Sequence, residues 1–110
     1  MCSSDLTSST ITAVGYYAAR NTTGGGNTAI GDQALSNNTT GTVNTAVGSL
    51  ALANTSTSSY NTGIGYQTGY SNTTGSSVTA VGAQAGFSNT TGSNLAAFGV
   101  HAGYSNTTGL

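Results

Sequence analysis

The sequence predicts an all-β fold, a parallel β-solenoid or β-roll of about six coils with 17 residues in each. Three observations carry this prediction. Copies of one pattern start at Ile11, Asn27, Asn44, Asn61, Val78 and Leu95, so the step is 17 residues after a first copy that is one shorter. The copies open on a short run of alternating character, as in NTAIG and NTAVG. Gly, Thr and Asn abound, and all three are poor helix formers, while helix-pair repeats need about 33 residues or more. A 17-residue unit suits two short strands and two turns. Stacked coils rise about 4.8 Å each, which gives a rod roughly 29 Å long.

Numbered from the first residue of each copy, the positions have separate physical characters. Position 5 is Gly in all six copies: Gly15, Gly31, Gly48, Gly65, Gly82 and Gly99. Position 4 is branched or aromatic: Val14, Ile30, Val47, Ile64, Val81 and Phe98. Position 2 is Thr in five copies (Thr12, Thr28, Thr45, Thr62, Thr79), and position 3 is Ala or Gly. The period of two predicts a short strand, with Thr and Ile/Val on one side and Ala on the other. The β-branched residues favour strand over helix. With the Ile/Val column taken as the core, the Thr column is expected to point partly inward. The Gly that follows is expected to turn the chain sharply or to approach another backbone closely.

A second segment follows. Position 8 is Ala or Thr: Ala18, Ala34, Ala51, Thr68, Ala85 and Ala102. A bulky residue stands at position 9 early (Leu35, Leu52) and at position 10 later (Tyr70, Phe87, Tyr104), where Gly69, Gly86 and Gly103 occupy position 9. A shift of one residue turns a strand side chain to the opposite face. The copies then close on the word NTTG or a variant of it. Asn tolerates left-handed backbone and Gly favours it, so a turn is expected, with the Thr hydroxyls bonded to nearby backbone. Asn38, Asn72, Asn89 and Asn106 are expected to stack in one column along the rod, because ladders of amide side chains satisfy one another.

The repeat region is 11–110, preceded by a non-repeat leader, 1–10. Residues 1–6, MCSSDL, back-translate to the end of a common sequencing adapter and are expected to be an assembly artefact. The repeat is expected to be a piece of a longer fibre. The chain carries one basic and two acidic residues, a net charge of −1. That leaves no electrostatic footprint for nucleic acid or for an anionic membrane, and no apolar run approaches the roughly 20 residues that span a bilayer. The single cysteine, Cys2, excludes an internal disulfide. Few apolar side chains per coil stand against the entropy of ordering it. Association is therefore expected, with the Ala columns as the close-packing surface and a homotrimer as the expected form.

The runs Ala29-Ile30-Gly31, Ala46-Val47-Gly48 and Ala80-Val81-Gly82 resemble the head repeats of YadA-type trimeric autotransporter adhesins, whose motif is close to Asn-Ser-Val-Ala-Ile-Gly-x-x-Ser. The longer pattern, NTAIG-x-x-AL followed by SNTTG, is similar to repeats of phage and bacterial tail-fibre-like proteins. The resemblance covers 11–110. It departs in having Thr28, Thr45 and Thr62 where the adhesins have Val, Ala34 or Ala85 in place of the final Ser, and a longer coil. It implies a left-handed roll and three chains side by side. It also implies an adhesive role outside the cell, on a bacterial surface anchored in the outer membrane or on a virion tail fibre, with a host-surface glycan or protein as partner.

Chemistry is not expected. Asp32 and His101 fall in coils four apart, about 19 Å in rise, and no His, Cys or carboxylate cluster has metal-ligand spacing. Gly24, Gly25 and Gly26 lack the Lys and Ser/Thr of a phosphate loop. The chain is read as a non-enzyme without cofactor or metal, and His101 as a drifted surface position. Asn21, Asn37, Asn38, Asn54, Asn72, Asn89 and Asn106 each begin an Asn-x-Ser/Thr triplet, read first as turn chemistry and second as glycan acceptors. Tyr16, Tyr66, Tyr70 and Tyr104 offer ring faces to glycans or fill the seams between coils. The leading function is a structural and adhesive fibre segment. The alternatives are an ice-binding solenoid with a Thr ladder, opposed by the inward expectation for those Thr, and a self-assembling matrix protein.

Overall fold

The computed structural model describes residues 10–108 and is a parallel β-solenoid. The leader segment 1–6 lies outside the described residues. Each coil contributes one strand: β1 Ile11–Val14, β2 Asn27–Ile30, β3 Thr45–Val47, β4 Thr62–Ile64, β5 Thr79–Val81 and β6 Ala96–Phe98. They pair in sequence order as a single parallel sheet of six, in the register of the repeat, with Ala13 on Ala29 and Ala29 on Ala46. The expected second strand of each coil is a series of tight turns instead. In coil 2, Ala34 donates its N–H to Gly31, Ser36 to Gln33 and Asn38 to Leu35, each three residues back.

The turns still stack. Position 7 donates to position 6 of the preceding coil (Gln33 to Tyr16, 2.7 Å), and position 9 donates to position 8 of the next (Leu35 to Ala51, 3.0 Å). Left-handed residues at positions 7 and 9 swing the peptide groups into line with the rod. At position 7 these are Tyr17, Gln33, Leu50, Gln67, Gln84 and His101, with φ between 54° and 61°. Left-handed backbone costs a non-Gly residue about 1 kcal/mol. The ladder bond it creates returns a comparable amount. Position 5 needs Gly on two counts: φ is +133° at Gly31, and a Cβ there would stand 2.7 Å from the Gly48 backbone.

Parity is the reverse of the expectation. Position 3 lies inside: Ala13, Ala29, Ala46, Gly63, Ala80 and Ala97 are buried, and Thr and Ile/Val face out. The Ala columns at positions 3 and 8 are thus packed within the chain and are not a surface for partners. The cross-section is too narrow for branched residues at position 3. One larger slot exists per coil, and two positions share it. Leu35 and Leu52 fill it from position 9 in one cluster; Val78 and Leu95 fill it from position 1 in the other. Between them Leu52 reaches into coil 4, where a Cβ on Gly63 would meet its Cγ at 2.9 Å and one on Gly69 its Cδ2 at 2.8 Å. This accounts for the exchange of Leu for Gly at position 9. Tyr70, Phe87 and Tyr104 at position 10 stand outside the core, half-buried.

The Asn of the NTTG word is interior. Asn38, Asn72 and Asn89 are fully buried, and none has positive φ. Each donates its amide to the carbonyl three residues on, at Gly41 (3.1 Å), Gly75 (2.8 Å) and Gly92 (2.9 Å). Asn89 also donates to Asn72 Oδ1 (3.1 Å) and Asn106 to Asn89 Oδ1 (3.3 Å), so these three stack. A Cβ on Gly41 or Gly75 would sit 2.5 Å from the Oδ1 of Asn38 or Asn72. Asn at position 12 therefore requires Gly at position 15, for space and not for φ. Where position 15 is Ser58, position 12 is the smaller Thr55. The ladder breaks there, and the Asn38 Oδ1 and Thr55 Oγ1 are buried without a hydrogen-bond partner among the described residues. A second interior ladder runs along position 1, where Asn27, Asn44 and Asn61 accept the N–H of Asn44, Asn61 and Val78, all at 2.9 Å.

Two outcomes test this packing. Leu52→Ala is expected to destabilise the chain by about 2–5 kcal/mol. Gly63→Ala alone is expected to destabilise as well, yet to restore part of the loss when added to Leu52→Ala, a non-additivity that a denaturation cycle reads directly. Thr55→Asn combined with Ser58→Gly is expected to raise stability by about 1 kcal/mol, the net worth of a regained hydrogen bond. Thr55→Asn alone is expected to lower it, which urea midpoints of the two variants decide.

Candidate interaction face

The outer face of the sheet follows from the alternation along each strand. With position 3 inside, positions 2 and 4 project outward in two straight rows. The first row is Thr12, Thr28, Thr45, Thr62, Thr79 and Ala96; the second is Val14, Ile30, Val47, Ile64, Val81 and Phe98, each in register with the next. Strand geometry sets about 4.8 Å between neighbours in a row and about 6.7 Å between the rows. Exposure is high for branched apolar side chains: 41% for Val14 and Ile64, 39% for Ile30 and 66% for Phe98. No side chain in either row is charged. Among the described residues no hydrogen bond engages the hydroxyls of Thr28, Thr45, Thr62 or Thr79. The face is a lattice of methyl groups and free hydroxyls.

Among the described residues, no group of three His, Cys, Asp or Glu side chains is placed to hold a metal. No helix is long and apolar enough to cross a membrane. No family model, curated protein or solved structure matches the chain. The function has to be read from the geometry.

The remaining side-chain ladders lie on the turn side. At position 7 the Gln84 amide donates to Gln67 Oε1 (2.8 Å), which leaves Gln84 Oε1 to accept from His101 Nε2 (2.7 Å). His101 is exposed and borders an open cleft of about 360 Å³ with Gln84 and Tyr104. At position 10 the rings of Tyr70, Phe87 and Tyr104 stack with centroids 5.2 and 5.0 Å apart. Phe87 is thus covered on both faces, so this column fills the seam between coils. The triplets divide by burial: Asn38, Asn72 and Asn89 are buried, Asn54 and Asn106 half-buried, and Asn21 and Asn37 exposed, though the last two also spend an amide N–H, on the Ser36 carbonyl (3.2 Å) and on Asn54 Oδ1 (3.0 Å). The three buried ones are closed to a glycan in the folded chain.

Sequence reasoning missed the outward apolar row. The signal was present in side-chain size. Position 3 never exceeds Ala, as an interior with no room demands, while position 4 ranges from Val to Phe, as an open surface allows.

One surface cluster stands apart. Tyr16 and Tyr17 stack at 4.0 Å between centroids, and the Arg20 guanidinium carbon lies 4.2 Å from the Tyr17 centroid. A hydrogen bond with Tyr17, with its charge next in weight, raises the Tyr16 pKa above its ordinary 10.0. A raised folded pKa stabilises the stack below the unfolded value and releases it as pH climbs through the folded one. Phenolate absorbance during alkaline titration is expected to show Tyr16 ionising above 10.0. Tyr17→Phe is expected to bring it back toward that value.

Proposed function

We propose that this chain is a structural repeat segment of a surface-exposed fibre, and that its outer sheet face packs against other copies of the chain. The supporting observation is the uncharged row from Val14 to Phe98, half-exposed on a solenoid whose interior is already filled. Contiguous apolar surface of this kind marks a contact face, and burying one branched side chain is worth about 1.5–3 kcal/mol. A parallel sheet exposed on one face is also uncommon, because such sheets are usually covered on both. Three copies meeting through these faces form a trimeric rod, with the turn-side ladders outward as the adhesive surface. Attachment to a host surface through a glycan or protein, outside the cell, is part of this proposal.

A second reading has its own support. The Thr row points outward, which removes the objection to an ice-binding array, and its hydroxyls are regularly spaced and without protein partners.

The two readings separate by readout. Light scattering of the folded chain is expected to give three times the chain mass, and Ile30→Lys with Ile64→Lys to return it to the monomer without loss of strand signal by circular dichroism. A folded monomer in the parent chain overturns the packing proposal. Ice binding predicts arrest of ice growth below the melting point, lost in Thr45→Lys with Thr62→Lys. A parent chain that leaves ice growth and recrystallisation unchanged removes that reading.

A further inference from the structure

Two of the chain's three charged residues and two adjacent tyrosines converge on the turn side of coils 1 and 2. The two rings and the guanidinium form a three-layer stack. Tyr16 and Arg20 both lie about one ring thickness from the Tyr17 centroid, 4.0 and 4.2 Å, so they occupy opposite faces of it. Tyr16 is therefore the outer layer, 63% exposed, with one face covered and the other open. Asp32 holds the same position in the next coil. The Gln33 N–H donates to the Tyr16 carbonyl at 2.7 Å, which fixes Asp32 about one coil rise, ~4.8 Å, along the rod from Tyr16. Asp32 is exposed, and among the described residues its carboxylate has no hydrogen bond or ion pair.

We propose that Tyr16 and Asp32 form a binding site for a neutral saccharide ring. A sugar ring has one face of C–H groups and a rim of adjacent hydroxyls. The C–H face lies on the open face of Tyr16, which brings a large apolar area to the contact at low entropy cost. Two vicinal hydroxyls donate to the Asp32 carboxylate, a charge-assisted arrangement stronger than neutral pairs. The Gln33 amide beside it supplies both a donor and an acceptor. Arg20 acts behind the stack, holding Tyr17 by cation–π attraction and so fixing the platform. The carboxylate disfavours phosphate and other anions at the same spot. No other tyrosine combines these features. Tyr70 and Tyr104 stack against Phe87, the neighbours of Tyr66 at its position are Ser49 and Ala83, and those of the equally exposed Tyr60 are Val43 and Ser77, so neither of these two has a carboxylate in the coil before or after it.

The site is separate from the sheet face and gives residues to the glycan attachment proposed above, on which reading it rests; its readout does not depend on whether the chain is a monomer or a trimer, so the two fail separately. Its test is saturation-transfer NMR of the whole chain with methyl glycosides of glucose, galactose, mannose and N-acetylglucosamine, and with inorganic phosphate as the anionic control. Transfer between at least one glycoside and the Tyr16 ring is expected, and added inorganic phosphate is expected to leave it unchanged. Tyr16→Ala is expected to abolish it and Tyr16→Phe to keep it. Asp32→Asn is expected to weaken it about tenfold, the loss of one charge-assisted hydrogen bond. Tyr66→Ala is expected to leave it unchanged. The proposal is overturned if no glycoside contacts Tyr16, if phosphate displaces the glycoside, or if Tyr66→Ala has the same effect as Tyr16→Ala.

Discussion

The narrow cross-section of the coil is the constraint on which the rest of this structure depends. The sheet and the wall of turns stand close enough that position 3 accepts nothing larger than Ala, and coil 4 accepts only Gly there because Leu52 has entered its space. One larger slot remains per coil. It is filled from position 9 in coils 2 and 3 (Leu35, Leu52) and from position 1 in coils 5 and 6 (Val78, Leu95), while in coil 1 Ile11 packs against the first cluster from position 1. Packing at interior density leaves no other solution: an added methylene costs about 1–3 kcal/mol in strain, and a deleted one leaves a cavity. The exchange of Leu35 and Leu52 for Val78 and Leu95 conserves volume while moving its source across the coil.

Such a core is too small to hold the fold by apolar burial alone, and polar ladders carry much of the remainder. The buried Asn27, Asn44 and Asn61 at position 1 accept backbone N–H groups of the coil that follows. Asn72, Asn89 and Asn106 form the second column. The two columns are complementary along the chain: Asn leaves position 1 at Val78, six residues after Asn72 begins the unbroken run at position 12. A buried amide is stabilising only with its bonds complete. The unsatisfied atoms mark places where that condition fails: Thr55 Oγ1 lies in coil 3, whose closing word is altered to NTSTS, Asn38 Oδ1 lies one coil before it, and Thr22 Oγ1 in coil 1 is likewise buried without a partner among the described residues.

Period, strand location, register and the place of the essential Gly were legible in the sequence, because each is a one-dimensional property. A step of 17 residues brings like onto like, and parallel pairing in register is the only arrangement that stacks Thr28 on Thr45 and Ala29 on Ala46. Parity was not legible by hydrophobicity, since Ile30 outranks Ala29 on any apolar scale and still lies outside. What decides is volume, a property of the whole cross-section. The second strand failed for a related reason. Alternation at positions 7 to 10 looks strand-like, but left-handed φ at Gln33 and Leu35 turns each peptide and makes a wall of turns. The Asn of the NTTG word was read as turn chemistry, and its role is interior, because a buried amide and a turn-forming amide are spelled with the same letter.

The outer face then needs a reason of its own. Nothing inside the coil requires position 4 to be branched and apolar, since its side chains touch solvent and the core is complete without them. Strand propensity accounts for part of it, but the whole scale spans about 1 kcal/mol and Thr satisfies it at position 2. It does not account for the difference between the rows: position 4 takes the larger apolar strand formers, Val, Ile and Phe, in all six coils, where the polar Thr serves at position 2. A solenoid that left this face to water would gain solubility from a Lys at any rung at little cost. A face kept apolar, regular and neutral along the whole rod is suited to a partner with the same repeat, and a second copy of this chain, set alongside, has it.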